Sequence, residues 1–396
     1  MKNISRFLLL LATIAAVCVG CNGGDDYPEY QYQKRLVKQA FLNEEITIFE
    51  GKEIEIQGIG FTIGDKIIFR SAEGDYTAEV ASIDEASAIF LAPDMPQGKY
   101  TLYISRGTEI QKVSPITVWK TLSIEIPEKD GCSLRGIVYT QNKSTSETGE
   151  MIVENIGIEG VWVSDGVNFT QTDAEGYYWL ASDKRYGYVY VCLPSGYMPA
   201  TGTNIVPGYW KSVSIDPRLS EQHNFELKVV DNKNHQVFFA ADLHLANRTI
   251  NGLNDVDQFK AGFMADSQAL AEAYGLENTY LITLGDLTWD AHWYAQKYMP
   301  ADFVKTMKDY KIPVFNCMGN HDNDPYQTDE LLGSKVYRSV IAPTHYSFDL
   351  GDVHYIVVDD IMWINNGGSN GVIGERNYTE KLDATQLAWL KQDRPI

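Results

Sequence analysis

Three apolar segments in the C-terminal part of the chain each run into polar side chains of the types that bind metals. The segment "HQVFFAA" is followed by Asp242 and His244, "TYLITL" by Asp286, and "IPVFNC" by Asn320 and His321. Segments with a helical pattern separate them, which predicts βαβ units and a parallel sheet. Such sheets bind ligands at the carboxyl ends of their strands. The sequence therefore predicts that these side chains converge on one site.

The residue types at the three strand ends favour a metal site. Asp242 and His244 are two residues apart, so in an extended chain both side chains would point to the same side. A carboxylate and an imidazole together make a pair of metal ligands. Asp286 follows Gly285, where a second backbone can approach closely because there is no side chain. Any one of these residues could instead be a helix N-cap or a turn residue, so the prediction depends on their occurring in succession.

The succession resembles the calcineurin-like metallophosphoesterases, whose pattern is D-x-H, then G-D-x-x-[DN], then G-N-H-[DE]. The matching segments are "DLH" at 242–244, "GD" at 285–286 and "GNHD" at 319–322. The resemblance implies an α/β metallophosphoesterase sandwich in residues 235–396. It also implies hydrolysis of phosphate esters with two divalent or trivalent metal ions (Mn, Fe or Zn), but not which ester is cut.

The same resemblance implies a role for each matching residue. Asp242 and His244 would bind the first ion, Asp286 would bridge both ions, and Asn320 would bind the second. His321 would be the catalytic residue that protonates the leaving oxygen, not a metal ligand. Two ions held in this way stabilise both the attacking and the leaving oxygen of phosphoryl transfer.

Two departures from the family pattern affect this interpretation. Trp289 stands where the family has an Asp or Asn partner for the catalytic histidine, and Asp290 comes one residue later. Whether Asp290 reaches His321 is therefore open. The further histidine ligands of the family, including G-H-x-H, do not follow, and we interpret His345 and His354 as structural. We therefore expect a C-terminally incomplete domain with little or no activity in the chain as given.

Local signals predict several elements around the site. Gly275 should end a long amphipathic helix, and Pro300 should interrupt the next helical stretch. Gly351 should join two strands. Asp383, with Gln386 three residues later, is typical of a helix N-cap.

An aromatic cluster follows the predicted bridging carboxylate. Trp289, Trp293 and Tyr294 lie within six residues of one another. They either wall a pocket for the leaving group or pack a helix, and the sequence favours packing.

Two β-rich regions precede the α/β part. Residues 41–119 contain short alternating segments such as "KEIEIQGIGF" and resemble an immunoglobulin-like TIG β-sandwich. Residues 120–231 contain further strand patterns and resemble a transthyretin-like, carboxypeptidase-regulatory-type β-sandwich, the module that precedes some bacterial phosphoesterase domains. The predicted fold class is multidomain, with two β-sandwich domains followed by a partial α/β metallophosphoesterase sandwich.

The first residues predict export. Basic residues precede an apolar stretch too short to span a bilayer, and "CVGCNGGDD" resembles the lipobox of bacterial lipoproteins. The resemblance implies a signal peptide over 1–20, lipidation of Cys21 and a tether over 21–40. The chain would then be anchored by lipid alone to the outer membrane, on its periplasmic face or at the cell surface. An ordinary cleaved signal is the alternative.

Charge and cysteine content bear on the partners. The formal net charge is -20, from 53 acidic and 33 basic residues, which disfavours nucleic acid. Cys132 and Cys192 either pair in an oxidising compartment or remain buried thiols. The leading function is a phosphoesterase. The alternative is a non-catalytic surface lipoprotein that binds a glycan or a protein through its β-sandwich domains.

Overall fold

The computed structural model describes residues 36–49, 51–83, 87–120, 124–327, 329–363 and 378–393. The predicted signal peptide, Cys21 and most of the predicted tether lie outside these ranges. The chain divides into two compact units, one up to residue 123 and one from residue 124 onward. Within the described ranges, no helix has both the length and the apolar character needed to cross a membrane.

The first unit is built from strands throughout its described residues. They are β1 (Lys38–Phe41), β2 (Glu45–Ile48), β3 (Glu53–Ile59), β4 (Lys66–Arg70), β5 (Asp75–Ile83), β6 (Ser87–Leu91), β7 (Gly98–Arg106) and β8 (Glu109–Lys120). They pair in the order β1-β3-β6-β5-β4-β7-β8-β2, and β2 and β8 are the parallel pair. The alternating burial along β3 fills a core that contains Ile54, Ile56 and Phe90. The predicted β-rich character of residues 41–119 is confirmed.

The second unit begins with two more β-sheets. Their strands are β9 (Leu134–Thr145), β10 (Met151–Gly157), β11 (Trp162–Ser164), β12 (Phe169–Gln171), β13 (Tyr177–Leu180), β14 (Tyr188–Val191), β15 (Tyr197–Pro199), β16 (Trp210–Ser212), β17 (Glu221–Gln222) and β18 (Phe225–Val229). One sheet follows the order β10-β9-β18-β15, with β13 and β17 also paired to β9. The other follows β12-β11-β14-β16. Residues 120–231 are therefore β-rich, as predicted.

Strands and helices alternate in the remainder of the second unit. The strands are β19 (Gln236–Ala240), β20 (Thr249–Ile250), β21 (Leu253–Asn254), β22 (Thr279–Thr283), β23 (Val314–Phe315), β24 (Tyr346–Leu350), β25 (Val353–Val357), β26 (Ile361–Trp363) and β27 (Tyr378–Glu380). The helices are α1 (Asp255–Phe259), α2 (Ala265–Tyr274), α3 (Pro300–Met307), α4 (Glu330–Gly333), α5 (Lys335–Val340) and α6 (Ala384–Gln392). A π-helical turn, Lys260–Met264, connects α1 to α2.

The three apolar segments noted in the sequence form one parallel sheet. β19 pairs with β22 from Gln236 opposite Thr279 to Ala240 opposite Thr283, and β22 pairs in parallel with β23. All three strands therefore end at the same edge. The predicted βαβ arrangement is confirmed, and the polar loops after the strands lie side by side.

The local sequence signals at Gly275, Gly351 and Asp383 were read correctly, but Pro300 begins a helix and does not interrupt one. Gly275 ends α2 with a φ of 116°, Pro300 is the first residue of α3, and Gly351 turns between β24 and β25. The Asp383 carboxylate accepts a hydrogen bond from the Gln386 backbone N–H at 2.6 Å, as an N-cap should. The Gln386 side chain, however, does not complete a capping box. Its amide oxygen instead accepts the Asp359 backbone N–H, and its amide nitrogen donates to the Asp359 carbonyl.

The β-rich part and the α/β part of the second unit share one hydrophobic core. Tyr209 and Tyr346 come from different parts, and their ring centroids lie 5.1 Å apart. The indole N–H of Trp389 on α6 donates to the Tyr190 hydroxyl at 2.8 Å. The two regions predicted to meet between residues 231 and 235 therefore pack as one unit.

No disulfide links the cysteines of the described residues. Cys132 and Cys317 are half-buried and Cys192 is buried, with none in a disulfide. Of the two alternatives left open by the sequence, the structure shows the one without a disulfide.

Candidate metal centre

The loops after β19 and β22 are tied together beyond the ends of the strands. The Leu284 N–H donates to the Ala240 carbonyl at 2.8 Å, and the His244 N–H donates to the Asp286 carbonyl at 2.8 Å. These bonds extend the parallel pairing into the loops. They fix the backbone of His244 directly beside that of Asp286.

Two glycines allow the third loop to approach the second. Gly285 has a φ of 93°, and a Cβ added there would lie 2.8 Å from the Gly319 Cα. A Cβ at Gly319 would lie 2.3 Å from the Asp286 Oδ1. No real side chain tolerates contacts this short. The expectation of a close backbone approach at Gly285 is confirmed, and Gly319 is the backbone that approaches.

The three loops bring His244, Asp286 and His321 together. The ligand atoms of these residues lie within 4.8 Å of one another. The His244 Nε2 is 3.0 Å from the Asp286 Oδ2, and the His321 Nε2 is 3.9 Å from the same oxygen. Imidazole nitrogen and carboxylate oxygen suit zinc, manganese and iron. The donor set therefore fits a metal ion.

Backbone conformation also sets these loops apart. Asp242, His244 and Asp286 have φ values of 55°, 48° and 55°, in the left-handed region. L-residues pay an energetic cost for this conformation, and such residues cluster at functional sites. Here the left-handed residues lie just after β19 and β22, in the two loops that bear His244 and Asp286.

Asp242 does not join this group. It is exposed, and its carboxylate is not among the clustered donors. The expectation of an extended chain from Asp242 to His244 is wrong, because both residues are left-handed and β19 ends at Ala240. The alternation rule holds only for extended backbone. Metal binding by Asp242 stays a prediction.

Asn320 lies at the start of a short 3₁₀ turn, Asn320–Asp322, beside the clustered donors. It is half-buried, and the backbone N–H of its neighbour His321 donates to the Asp286 Oδ1 at 2.9 Å. This bond fixes the turn against the second loop. Metal binding through the Asn320 amide stays a prediction.

Asp290 reaches the predicted catalytic histidine. Its Oδ1 lies 2.9 Å from the His321 Nδ1, and its side chain is fully buried. Asp290 is the first residue of a short 3₁₀ turn, Asp290–His292. The question left open by Trp289 at the family position is therefore settled: a carboxylate one residue later makes the contact. The His321 Nε2 remains directed toward Asp286.

Asp322 braces the second loop against the third. Its buried carboxylate accepts hydrogen bonds from the backbone N–H groups of Leu287, Thr288 and Gly319, and from the Thr288 hydroxyl. Burial raises its pKa to about 7, although the Thr288 N–H opposes the rise. The sequence motif contained Asp322, but nothing in the sequence indicated that it holds the loop bearing Asp286.

Two members of the aromatic cluster, Trp293 and Trp289, differ in burial and in what they contact. Trp293 is fully buried and donates to the Thr288 hydroxyl at 2.8 Å, so it packs the loop. Trp289 is half-buried, and its ring centroid lies 5.3 Å from that of His244 and 5.7 Å from that of His321. The Arg248 guanidinium carbon lies 4.3 Å from the same indole ring. Arg248 was not identified from the sequence.

His345 and His354 bind elsewhere in the fold, in agreement with the structural interpretation. The buried His345 bonds the Gly166 carbonyl and the Thr344 hydroxyl, and burial lowers its pKa to about 4. His354 lies between Asp349 and Asp393, and its hydrogen bonds to these carboxylates raise its pKa to about 9.

Comparison with known proteins gives a family match within the second unit. Residues 145–230 match the sequence model of the N-terminal region of calcineurin-like phosphoesterases. The match begins at the end of β9 and ends just after β18, in agreement with the module predicted for 120–231. It supports the predicted family, but it does not cover the candidate metal centre.

Two solved structures resemble the chain over less than half of its length. A DUF4784 family protein from Bacteroides caccae shares 17% identity over 31% of this chain, with a TM-score of 0.19. A protein of unknown function from Bacteroides thetaiotaomicron shares 9% identity over 40% of this chain, with a TM-score of 0.19. The chain spans 30% and 44% of these two proteins, respectively. No curated protein matches.

Proposed function

We propose that this chain carries the catalytic centre of a metal-dependent, calcineurin-like phosphoesterase. The observation that carries the proposal is the convergence of His244, Asp286 and His321, with Asp290 behind His321, at the edge where three parallel strands end. The family match to residues 145–230 supports it independently, because that region packs in the same unit.

The residues that would hold metal are His244 and Asp286, together with Asp242 and Asn320 as the family resemblance implies. A bound divalent cation would supply Lewis acidity and lower the pKa of a coordinated water. His244 offers its Nε2 to this site, and Asp286 offers its Oδ2. The Asp286 Oδ1 accepts the His321 N–H, which fixes the carboxylate in one orientation.

His321 and Asp290 have the geometry of a proton donor and the group that orients it. The Asp290 carboxylate at 2.9 Å keeps a proton on the His321 Nδ1. The opposite nitrogen, Nε2, then faces the clustered donors, where an ester oxygen would leave. His321 would deliver a proton from Nε2 to that oxygen, and Asp290 would stabilise the positive charge of the ring.

The proposal extends to the location and architecture of the protein. The chain would be attached to the cell envelope through lipid on Cys21 and would act on phosphate esters outside the cytoplasm. Its net charge of -20 argues against nucleic acid as a partner. The β-rich regions would be an immunoglobulin-like TIG domain and a transthyretin-like domain, and the final region would belong to a phosphoesterase α/β sandwich.

The test is a panel of aryl phosphate monoesters and diesters, assayed with added manganese, zinc or iron. His321→Ala should abolish measurable turnover while leaving the bound metal nearly unchanged, and Asp290→Asn should reduce turnover about 10–100-fold. His235→Gln is the matched control, because His235 bonds a carbonyl and a phenol away from the site. Equal rates for wild type and His321→Ala, or loss of the bound metal in His321→Ala, would refute the proposal.

A further inference from the structure

Arg248 lies at the candidate metal centre but has no part in the chemistry proposed so far. It follows His244 by four residues, on the loop after β19. Its guanidinium carbon lies 4.3 Å from the centre of the Trp289 ring, and that ring contacts both His244 and His321. A guanidinium stacked on an indole is restrained in position. Arg248 is therefore a restrained positive charge on the indole that contacts both histidines.

Only one end of the guanidinium is engaged. Its Nε lies 3.4 Å from the Asp255 Oδ2. Within the part of the chain that the structure describes, no group accepts a hydrogen bond from the terminal nitrogens of Arg248. A planar fork of N–H groups is suited to bind two oxygens of a phosphate at once. The side chain is thus stacked on one residue and paired with another, and its anion-binding end is available.

The backbone of this loop is also held by hydrogen bonds that do not involve the Arg248 side chain. The Arg248 backbone N–H donates to the Asp255 Oδ1 at 2.9 Å, and the Ala246 N–H donates to the Asp255 Oδ2 at 3.3 Å. These backbone bonds would remain after substitution of Arg248. A purely structural role therefore accounts poorly for the stacked and half-buried guanidinium.

We propose that Arg248 binds the phosphate group of the substrate, and that Trp289 holds the guanidinium in the orientation this needs. The inference rests on the proposed function, since it places the phosphate at His244, Asp286 and His321. The terminal nitrogens of Arg248 would contact nonbridging phosphate oxygens. The site would therefore distinguish anionic phosphate esters from neutral esters.

Equilibrium binding of inorganic phosphate tests the inference without requiring turnover. The zinc-loaded full chain would be titrated with phosphate by calorimetry, as wild type and as Arg248→Gln, Arg248→Lys and Lys260→Gln. Lys260 is an exposed cation after α1, so its replacement removes the same charge from the neighbourhood. We expect Arg248→Gln to weaken phosphate binding at least tenfold with unchanged zinc content. Arg248→Lys should be intermediate, and Lys260→Gln should change binding by less than twofold.

Three results would overturn the inference. They are no phosphate binding by the wild type, wild-type affinity in Arg248→Gln, and an equal loss in Lys260→Gln, which would indicate a bulk charge effect. Should Arg248→Gln fail to fold, Trp289→Ala provides a second test. It should weaken phosphate binding by releasing the guanidinium, whereas Trp289→Phe should retain most of the affinity. Wild-type phosphate affinity in Trp289→Ala would contradict the assigned role of the indole.

A turnover assay separates the inference from the proposed function. With an aryl phosphate, Arg248→Gln should raise KM at least tenfold. Normal KM and kcat in this variant would overturn the inference and leave the phosphoesterase proposal intact. Arg248-dependent phosphate binding in a protein whose hydrolysis rates are equal for wild type and His321→Ala would refute the phosphoesterase and retain the anion site.

Discussion

Replacing His354 by Gln should destabilise the second unit at pH 6 and have much less effect at pH 10. His354 is the cross-strand partner of Asp349 in the β24–β25 hairpin, and its Nδ1 lies 2.7 Å from the Asp349 Oδ1. Its Nε2 lies 3.2 Å from the Asp393 Oδ2, just beyond α6. The charged imidazole therefore connects α6 to the hairpin.

The magnitude follows from the pKa of His354. Hydrogen bonds that the imidazole donates to Asp349 and Asp393 raise this pKa from 6.5 to about 9. At about 1.4 kcal/mol per unit, the ceiling is about 3.4 kcal/mol. The side chain is 27% exposed, and solvent screening reduces the contribution to about 1–2 kcal/mol. Because the folded-state pKa is raised, this stability is fully present below pH 6.5 and is lost as the pH rises through 9.

Thermal unfolding followed by tryptophan fluorescence is a suitable assay. Seven of the eight tryptophans lie after residue 123, so the signal reports mainly on the second unit. In a unit of this size, the wild type should melt about 2–8 °C above His354→Gln at pH 6. The difference should shrink at pH 10. His235→Gln, which removes a histidine without a carboxylate partner among the described residues, should not reproduce this pH dependence.

Two outcomes would refute the reasoning. A difference in Tm between wild type and His354→Gln that is the same at pH 6 and pH 10 would show that the charge of His354 contributes nothing. Loss of bound metal in His354→Gln without loss of stability would make His354 a ligand and not a structural cation.

Three further predictions concern the metal centre and the anchor. Asp286→Asn should lose most of its bound metal and at least 99% of its activity, because the clustered donors lose their carboxylate charge; normal metal content by mass spectrometry with normal turnover would contradict this. The 396-residue chain should bind about one zinc or manganese ion rather than two, because the described residues supply a single His/Asp group; two tightly held ions would show that further donors take part. Cys21→Ala should abolish labelling with radioactive palmitate, and equal labelling of variant and wild type would rule out lipidation at this residue.

Short-range signals predicted the elements that carry the site. Apolar strands, a glycine stop at Gly275 and an N-cap at Asp383 depend on contacts a few residues apart, so the sequence alone reveals them. Gly285 was identified for the same reason, since a glycine before a strand-end carboxylate indicates a close backbone approach. The structure shows that Gly319 makes this approach.

Long-range contacts could not be predicted in the same way. Asp290 contacts His321, 31 residues further along the chain. It directly follows Trp289 and begins the 3₁₀ turn Asp290–His292. Asp322 reaches the loop around Leu287 across 35 residues. Arg248 stacks on Trp289, 41 residues further along the chain, and among the described residues only this contact connects it to the site. None of these pairings follows from spacing along the chain.

The sequence by itself determined the alternation of strands and helices, the polar residues at the three strand ends, and the β-rich character of the regions before them. These depend on periodicity and local capping, which operate within single segments. Tertiary structure decided which of those polar residues meet. The Asp242 carboxylate lies outside the group of clustered donors, and His321 is paired with Asp290. The region before residue 231 and the region after residue 235 also share one core. The sequence could not reveal this, because packing between distant aromatic side chains leaves no periodic pattern along the chain.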